Sequence, residues 1–158
     1  MNSKGLIGLS ASKVRGLLDS GELSPLEVFD ATAERIQTIN PLVNALPTLC
    51  LDAARERAQR LTDMPANVSA RGPLWGLPTA VKDYNDLASV KTTYGSPLFA
   101  NNIPDRSDAT VETLESNGAI LIGKSNVPEW AGAHTFNPVF GHTPVSYTHL
   151  TLPTILLV

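Results

Sequence analysis

A chain of 158 residues, 42% hydrophobic and 17% charged, has the composition of one globular domain or of part of a larger one. Its formal net charge of −3 supplies no basic field for nucleic acid or an anionic membrane, and no stretch reaches the roughly 18–20 apolar residues of a membrane span. A single cysteine, Cys50, excludes an internal disulfide and suits a reducing compartment, so the expected location is the cytoplasm, without a membrane partner.

In chain order, residues 6–9 form an apolar run too short for a secretion signal. Ser10 is placed to cap a short helix ending near Ser20-Gly21. Ser24-Pro25-Leu26-Glu27 is a stronger start: Ser24 caps, Pro25 takes the first helical position, and Glu27 completes a capping box. The helix that follows carries Val28, Ala31, Ile36 and Ile39 at helical spacing and is expected to stop at Asn40-Pro41. Residues 46–51 read as a strand or extended segment, and Asp52 is expected to cap a third helix running to about Leu61. Residues 62–73 are a polar loop. Within it Asn67-Val68-Ser69 matches a glycosylation acceptor, a triplet frequent by chance.

The texture then changes. Leu77-Pro78-Thr79-Ala80-Val81 reads as a short buried strand, ended by the polar run Lys82-Asp83-Tyr84-Asn85-Asp86; residues 90–99 are irregular. Asp108 caps a predicted helix over 109–117, Gly118 is a natural residue to end it, and residues 119–122 are an apolar strand. Helix, glycine and buried strand are half of an α/β unit, so the expected class is α/β: N-terminal helices followed by the start of a mixed central sheet covered by helices. The run from Val145 to Thr154 is uncharged and does not continue the preceding periodicity. It back-translates readily to a transposon-end sequencing adapter, so residues 145–158 are expected to be a non-native tail on a domain part spanning 6–144.

Two lysines follow buried strands, Lys82 and Lys124. In open α/β sheets sites gather at the carboxyl ends of strands, and a lysine deprived of water there can serve as a base. The residues alone do not choose between the two, and a solvated charge is the commoner reason for such a lysine. Gly123-Lys124-Ser125 echoes the end of a phosphate-binding loop, but Ala119 stands where that loop needs its first glycine. His134 and His142 lack partners at metal-ligand spacing and are expected to be hydrogen-bonded structural residues; Cys50 is expected to be a small core or half-buried residue. No metal or cofactor is expected.

Five segments occur in an order and spacing that carry more. They are Gly76-Leu-Pro-Thr-Ala-Val-Lys-Asp83, Thr92-Thr-Tyr-Gly-Ser96, Asp108-Ala-Thr-Val111, Gly118-Ala-Ile-Leu-Ile-Gly-Lys-Ser-Asn126 and Phe140-Gly-His-Thr-Pro144. Together with the helical opening from Leu23 to Pro41, they resemble the first part of the amidase signature family over about residues 6–144. The resemblance implies the amidase signature fold and hydrolysis or transfer of small-molecule amides by a Ser–Ser–Lys triad. In that triad the lysine deprotonates a bridging serine, which deprotonates the serine nucleophile, and loop N–H groups hold the oxyanion. Lys82 occupies the family lysine's place as general base. The Gly/Ser-rich stretch bearing both serines is absent from these 158 residues; Ser89, Ser96 and Ser125 do not sit in such a motif. The piece is therefore expected to be truncated and inactive alone. Asp83 is expected to help fix the turn after the strand rather than to act in catalysis, and by the same resemblance Lys124 is structural, with Ser125 and Asn126 satisfying a turn.

Three functions are compatible with this reading. The first is a stand-alone amidase, which could form a homodimer. The second is the amidase component of a tRNA-dependent amidotransferase (its A subunit), the one case implying a nucleic-acid partner. That component usually carries a Met-Asp-Glu-Phe-like run where this chain has Val127-Pro128-Glu129-Trp130, which favours the first. The third is a non-catalytic α/β interaction module.

Overall fold

The computed structural model describes residues 5–6, 8–64, 71–132 and 135–144. The glycosylation triplet, His134 and residues 145–158 lie outside them. The first helix, α1 (Ala11–Ser20), begins as its sequence directs: the Ser10 hydroxyl accepts from the Lys13 N–H at 3.3 Å, and Gly21 ends it at φ 74°. The second, α2 (Pro25–Val43), has the full capping box. The Glu27 N–H donates to the Ser24 hydroxyl at 3.2 Å, and the Glu27 carboxylate accepts the Ser24 N–H at 2.8 Å.

The stop expected at Asn40-Pro41 is displaced: α2 runs through Pro41 to Val43. A proline this near a helix end deletes one intrahelical bond, and Asn40 offsets the loss. Its carbonyl accepts the Asn44 N–H at 2.7 Å, and its side chain both donates to and accepts from the Leu46 backbone. The helix ends instead at Asn44, a side chain that tolerates the left-handed conformation (φ 46°). After β1 (Thr48–Leu49), α3 (Leu51–Thr62) starts one residue before Asp52. That aspartate therefore lies in the first turn, and the capping position falls to Cys50 without a side-chain bond.

Next come β2 (Pro78–Lys82), α4 (Ala109–Ser116) and β3 (Ile120–Ser125), followed by the small hairpin of β4 (Phe136–Asn137) and β5 (Gly141–His142). The main sheet has the order β1-β3-β2, with β3 parallel to β2 and antiparallel to β1. The sheet is thus mixed, as expected, and β3 outruns the four apolar residues read from sequence. Its first five residues are all buried because the strand is covered on both faces. Ile120 and Ile122 pack with Leu18, Val28, Phe29, Ala54, Ala58, Leu61 and Trp75 under the N-terminal helices. Leu121 packs on the other face with Val81, Leu87, Val111 and Ala119. Full burial of such side chains is worth about 1.5–3 kcal/mol each, so the two clusters fix which way β3 faces.

That facing changes once. In the β2–β3 register Thr79 pairs with Leu121, but Val81, two residues on, pairs with Lys124, three residues on, because of an irregularity at Thr79/Ala80. One extra residue on β3 reverses the side-chain alternation, so Lys124 falls on the face of Val81 and Leu121 rather than that of Ile122. Gly123 makes this crossing feasible. A Cβ there would lie far inside contact distance of the Thr48 carbonyl oxygen on β1.

Candidate active site

The turn after β2 carries the first predicted site residue. The Asn85 N–H donates to the Lys82 carbonyl at 3.0 Å, closing a four-residue turn, and the Asp83 N–H extends the ladder to the Ser125 carbonyl at 3.1 Å. Strand alternation sets what this turn exposes. Val81 and Asp83 point inward; Lys82 points out and is exposed, its Nζ donating to the Tyr84 hydroxyl at 3.0 Å. The two candidate lysines therefore separate by environment. Lys82 is reachable from solvent at the carboxyl end of its strand, whereas Lys124 is completely buried, with Nζ donating to the Asn85 carbonyl and, at 2.8 Å, to the Thr92 hydroxyl.

Asp83 lies beneath the turn, also completely buried, and accepts from the N–H and hydroxyl of Thr93. Its carbonyl accepts the Tyr94 N–H at 2.8 Å, tying the turn to the Thr92-Thr93-Tyr94 loop. The expectation that Asp83 fixes the turn matches these bonds. Burial pushes the Asp83 carboxyl above its ordinary range, against the opposing pull of the Thr93 donors and Lys124. Burial also pushes the Lys124 amine below its ordinary range, and the carboxylates of Asp83, Asp86 and Asp108 act the other way.

Asp108 does something its sequence does not disclose. It occupies the capping position of α4 but makes no side-chain bond to that helix. Its carboxylate instead accepts the Asp86 N–H at 2.9 Å and the Asn85 side-chain amide at 3.3 Å, gripping the far side of the turn. Tyr94 adds a further tie, its hydroxyl donating to Asp86 at 2.6 Å; that bond to a carboxylate, with burial second, pushes the phenol up to about 12. The Tyr94 ring stacks on Trp130 at 5.4 Å, and both residues hold positive φ (54° and 49°) in loops joined by the Trp130 N–H donating to the Tyr94 carbonyl at 3.0 Å. Thr92, Thr93 and Tyr94 gave no chemical signal beyond their place in a family segment, because their partners are distant in sequence.

The remaining candidates fall elsewhere. In place of the expected turn, Ser125 ends β3 and Asn126 forms a node between loops: its side-chain amide donates to the Thr143 hydroxyl at 3.1 Å and its oxygen accepts from Asn137 at 2.7 Å. The His142 carbonyl lies 3.3 Å from the Asn44 side-chain amide, and its strand pairs with β4. Cys50 is half-buried, its Sγ 3.3 Å from the Leu121 carbonyl, and burial pushes its thiol up to about 11. Among the described residues no three His, Cys, Asp or Glu side chains gather as metal ligands, and no helix is long and apolar enough to cross a membrane.

The site is thus an α/β sheet with an accessible lysine at one strand's carboxyl end and a turn held by buried polar groups. The family model described as Amidase matches residues 27–150, and the chain belongs to that family. It is 36% identical over 138 residues to the A subunit of a glutamyl-tRNA(Gln) amidotransferase from Lawsonia intracellularis, a match covering 87% of this chain and 28% of the relative. Among solved structures it resembles a fatty acid amide hydrolase (TM-score 0.81, 26% identity, 89% of this chain and 25% of that one). It also resembles a peptide amidase from Stenotrophomonas maltophilia (TM-score 0.76, 26% identity, 86% and 29%). The chain thus spans a little over a quarter of the length of the curated relatives it matches.

Proposed function

We propose that the whole protein hydrolyses a linear small-molecule amide, with Lys82 as the general base of a Ser–Ser–Lys triad. The observation that carries this reading is the environment of the two lysines. Lys82 presents an amine open to a substrate, bonded to the Tyr84 hydroxyl, at the end of β2, and the loss of water that a base needs would come from the serine-bearing stretch closing over it; Lys124 is sealed and already engaged with two acceptors. In the reaction Lys82 takes a proton from the bridging serine, which takes one from the nucleophile. The serine oxygen then attacks the amide carbonyl, the C–N bond breaks as the relayed proton leaves on the departing amine, and a water, giving its proton to the same relay, hydrolyses the resulting acyl-serine to free acid and serine. The 158 residues supply the base and its turn. Both serines would come from a Gly/Ser-rich stretch these residues do not contain.

The test is kinetic and uses the full-length protein. Lys82→Ala is expected to lower kcat on the order of 10³-fold with little change in fold, and Lys82→Arg to rescue nothing, because a guanidinium stays protonated. Near-wild-type kcat in either variant refutes the assignment.

A second reading is favoured by the names of the curated relatives, which are amidotransferase A subunits at 34–36% identity. In that case the same lysine would serve an assembly that uses glutamyl-tRNA(Gln). Val127-Pro128-Glu129-Trp130 weighs against it. Hydrolysis of simple amides by the purified protein alone supports the first reading; activity that requires companion proteins and glutamyl-tRNA(Gln) supports the second.

A further inference from the structure

We propose that Lys124 is a positioning residue for Lys82: its buried ammonium holds the Asn85 carbonyl and thereby fixes the turn from which Lys82 projects. The inference rests on the reading of Lys82 as the base. Lys124 is the largest fully buried side chain among the described residues, so it cannot meet a substrate. It reaches the site only through what it touches, the Asn85 carbonyl and the Thr92 hydroxyl. Asn85 closes the Lys82 turn through its own N–H. One residue is thus bonded through its N–H to the Lys82 carbonyl and through its own carbonyl to Lys124, which links the Lys124 amine to the base's backbone through Asn85 alone.

The location of Lys124 is a consequence of register. The extra residue on β3 turns it toward Val81, beneath the turn; without that shift it would point toward the helical cluster around Ile122. The groups facing the ammonium are Asp83 and Asp86 of the turn itself, Asp108 ahead of α4, and Cys50 ahead of α3. A methionine would fill the same space without the cost of dehydrating a charge. What the ammonium adds is a directed hold on one carbonyl. Small displacements of a catalytic group cost rate far more than they cost binding, so such a hold acts on turnover.

The experiment uses the full-length protein with a simple amide as substrate. Lys124→Met removes the donor at similar length, and Lys124→Gln keeps a neutral N–H donor. For each variant kcat is measured per folded molecule, with KM and the melting temperature alongside, and Lys82→Ala is run in parallel. Lys124→Met is expected to lower kcat by about 10- to 10²-fold with KM within about twofold, and Lys124→Gln to recover part of the loss. A structural residue would lower the melting temperature and the folded yield but leave kcat per folded molecule unchanged. That outcome, in whichever variant folds, overturns the proposal. If Lys82→Ala retains wild-type kcat, the base assignment fails first. If Lys82→Ala is inactive while the Lys124 variants turn over normally, only the positioning role is lost.

Discussion

The Asp108 carboxylate accepts the backbone N–H of Asp86 at 2.9 Å, across a chain separation of 22 residues, while leaving the helix that begins next to it without a side-chain cap. A carboxylate–amide bond of this kind contributes about 1–3 kcal/mol. Asp108→Ala is therefore expected to destabilise the fold by about that amount in denaturant titrations. Asp108→Asn, which keeps an acceptor oxygen, should lose less. If Asp108 served only as a cap, Asp108→Ser would restore full stability; the bond to Asp86 requires that it does not.

The contrast between the two lysines can be checked without turnover. In a protein of these 158 residues, amine-labelling reagents followed by peptide mass analysis should modify Lys82 readily and Lys124 at least about 10²-fold more slowly, because Lys124 becomes reachable only when the structure opens locally. Equal labelling rates in the folded protein would remove the distinction on which the Lys82 assignment rests.

Cys50, the only cysteine, gives a clean pH experiment. Burial raises its thiol from 9.0 to about 11, so the thiolate is scarce near neutrality. At pH 8 its reaction with a disulfide reagent should be slower than that of free cysteine by about two orders of magnitude. The rate should climb as pH approaches 11. Because the folded value is raised, the linked stability is fully present below about pH 9 and is lost as pH rises through about 11. Cys50→Ala should flatten that alkaline limb; an unchanged limb would contradict the assignment to this thiol.

Gly123 tests the strand crossing. An added methyl would meet the Thr48 carbonyl, a backbone atom that cannot swing aside. Gly123→Ala is expected to cost about 1–3 kcal/mol or more, through displacement of β1 from β3, and should be visible as a lowered unfolding midpoint. Tolerance of the substitution would mean that β1 is not seated on β3 as the register describes.

Much of the fold was legible along the chain because its signals are local. Ser10, the Ser24–Glu27 box, Gly21 and Gly118 act within a few residues, and the apolar run from Ala119 follows directly from burial on both faces. Where a local rule was overruled, a neighbour explains it. The bonds of Asn40 carry α2 through Pro41, and the turn draws Asp108 away from the helix it precedes.

The site divides in the same way. Sequence by itself determined the family, the α/β class and the two lysines at or near strand ends, since each is written in residue type and spacing; it overstated the burial of β2, where only Val81 is buried. Only the tertiary structure decided which lysine meets solvent. That outcome depends on where each strand lies: β3 is covered on both faces, whereas Lys82 ends β2 on its open side. A one-residue shift in the pairing of the two strands decides only which covered face takes Lys124, bringing it against Asn85 and Thr92 while Lys82 stays outward beside Tyr84, a relation that belongs to two strands at once.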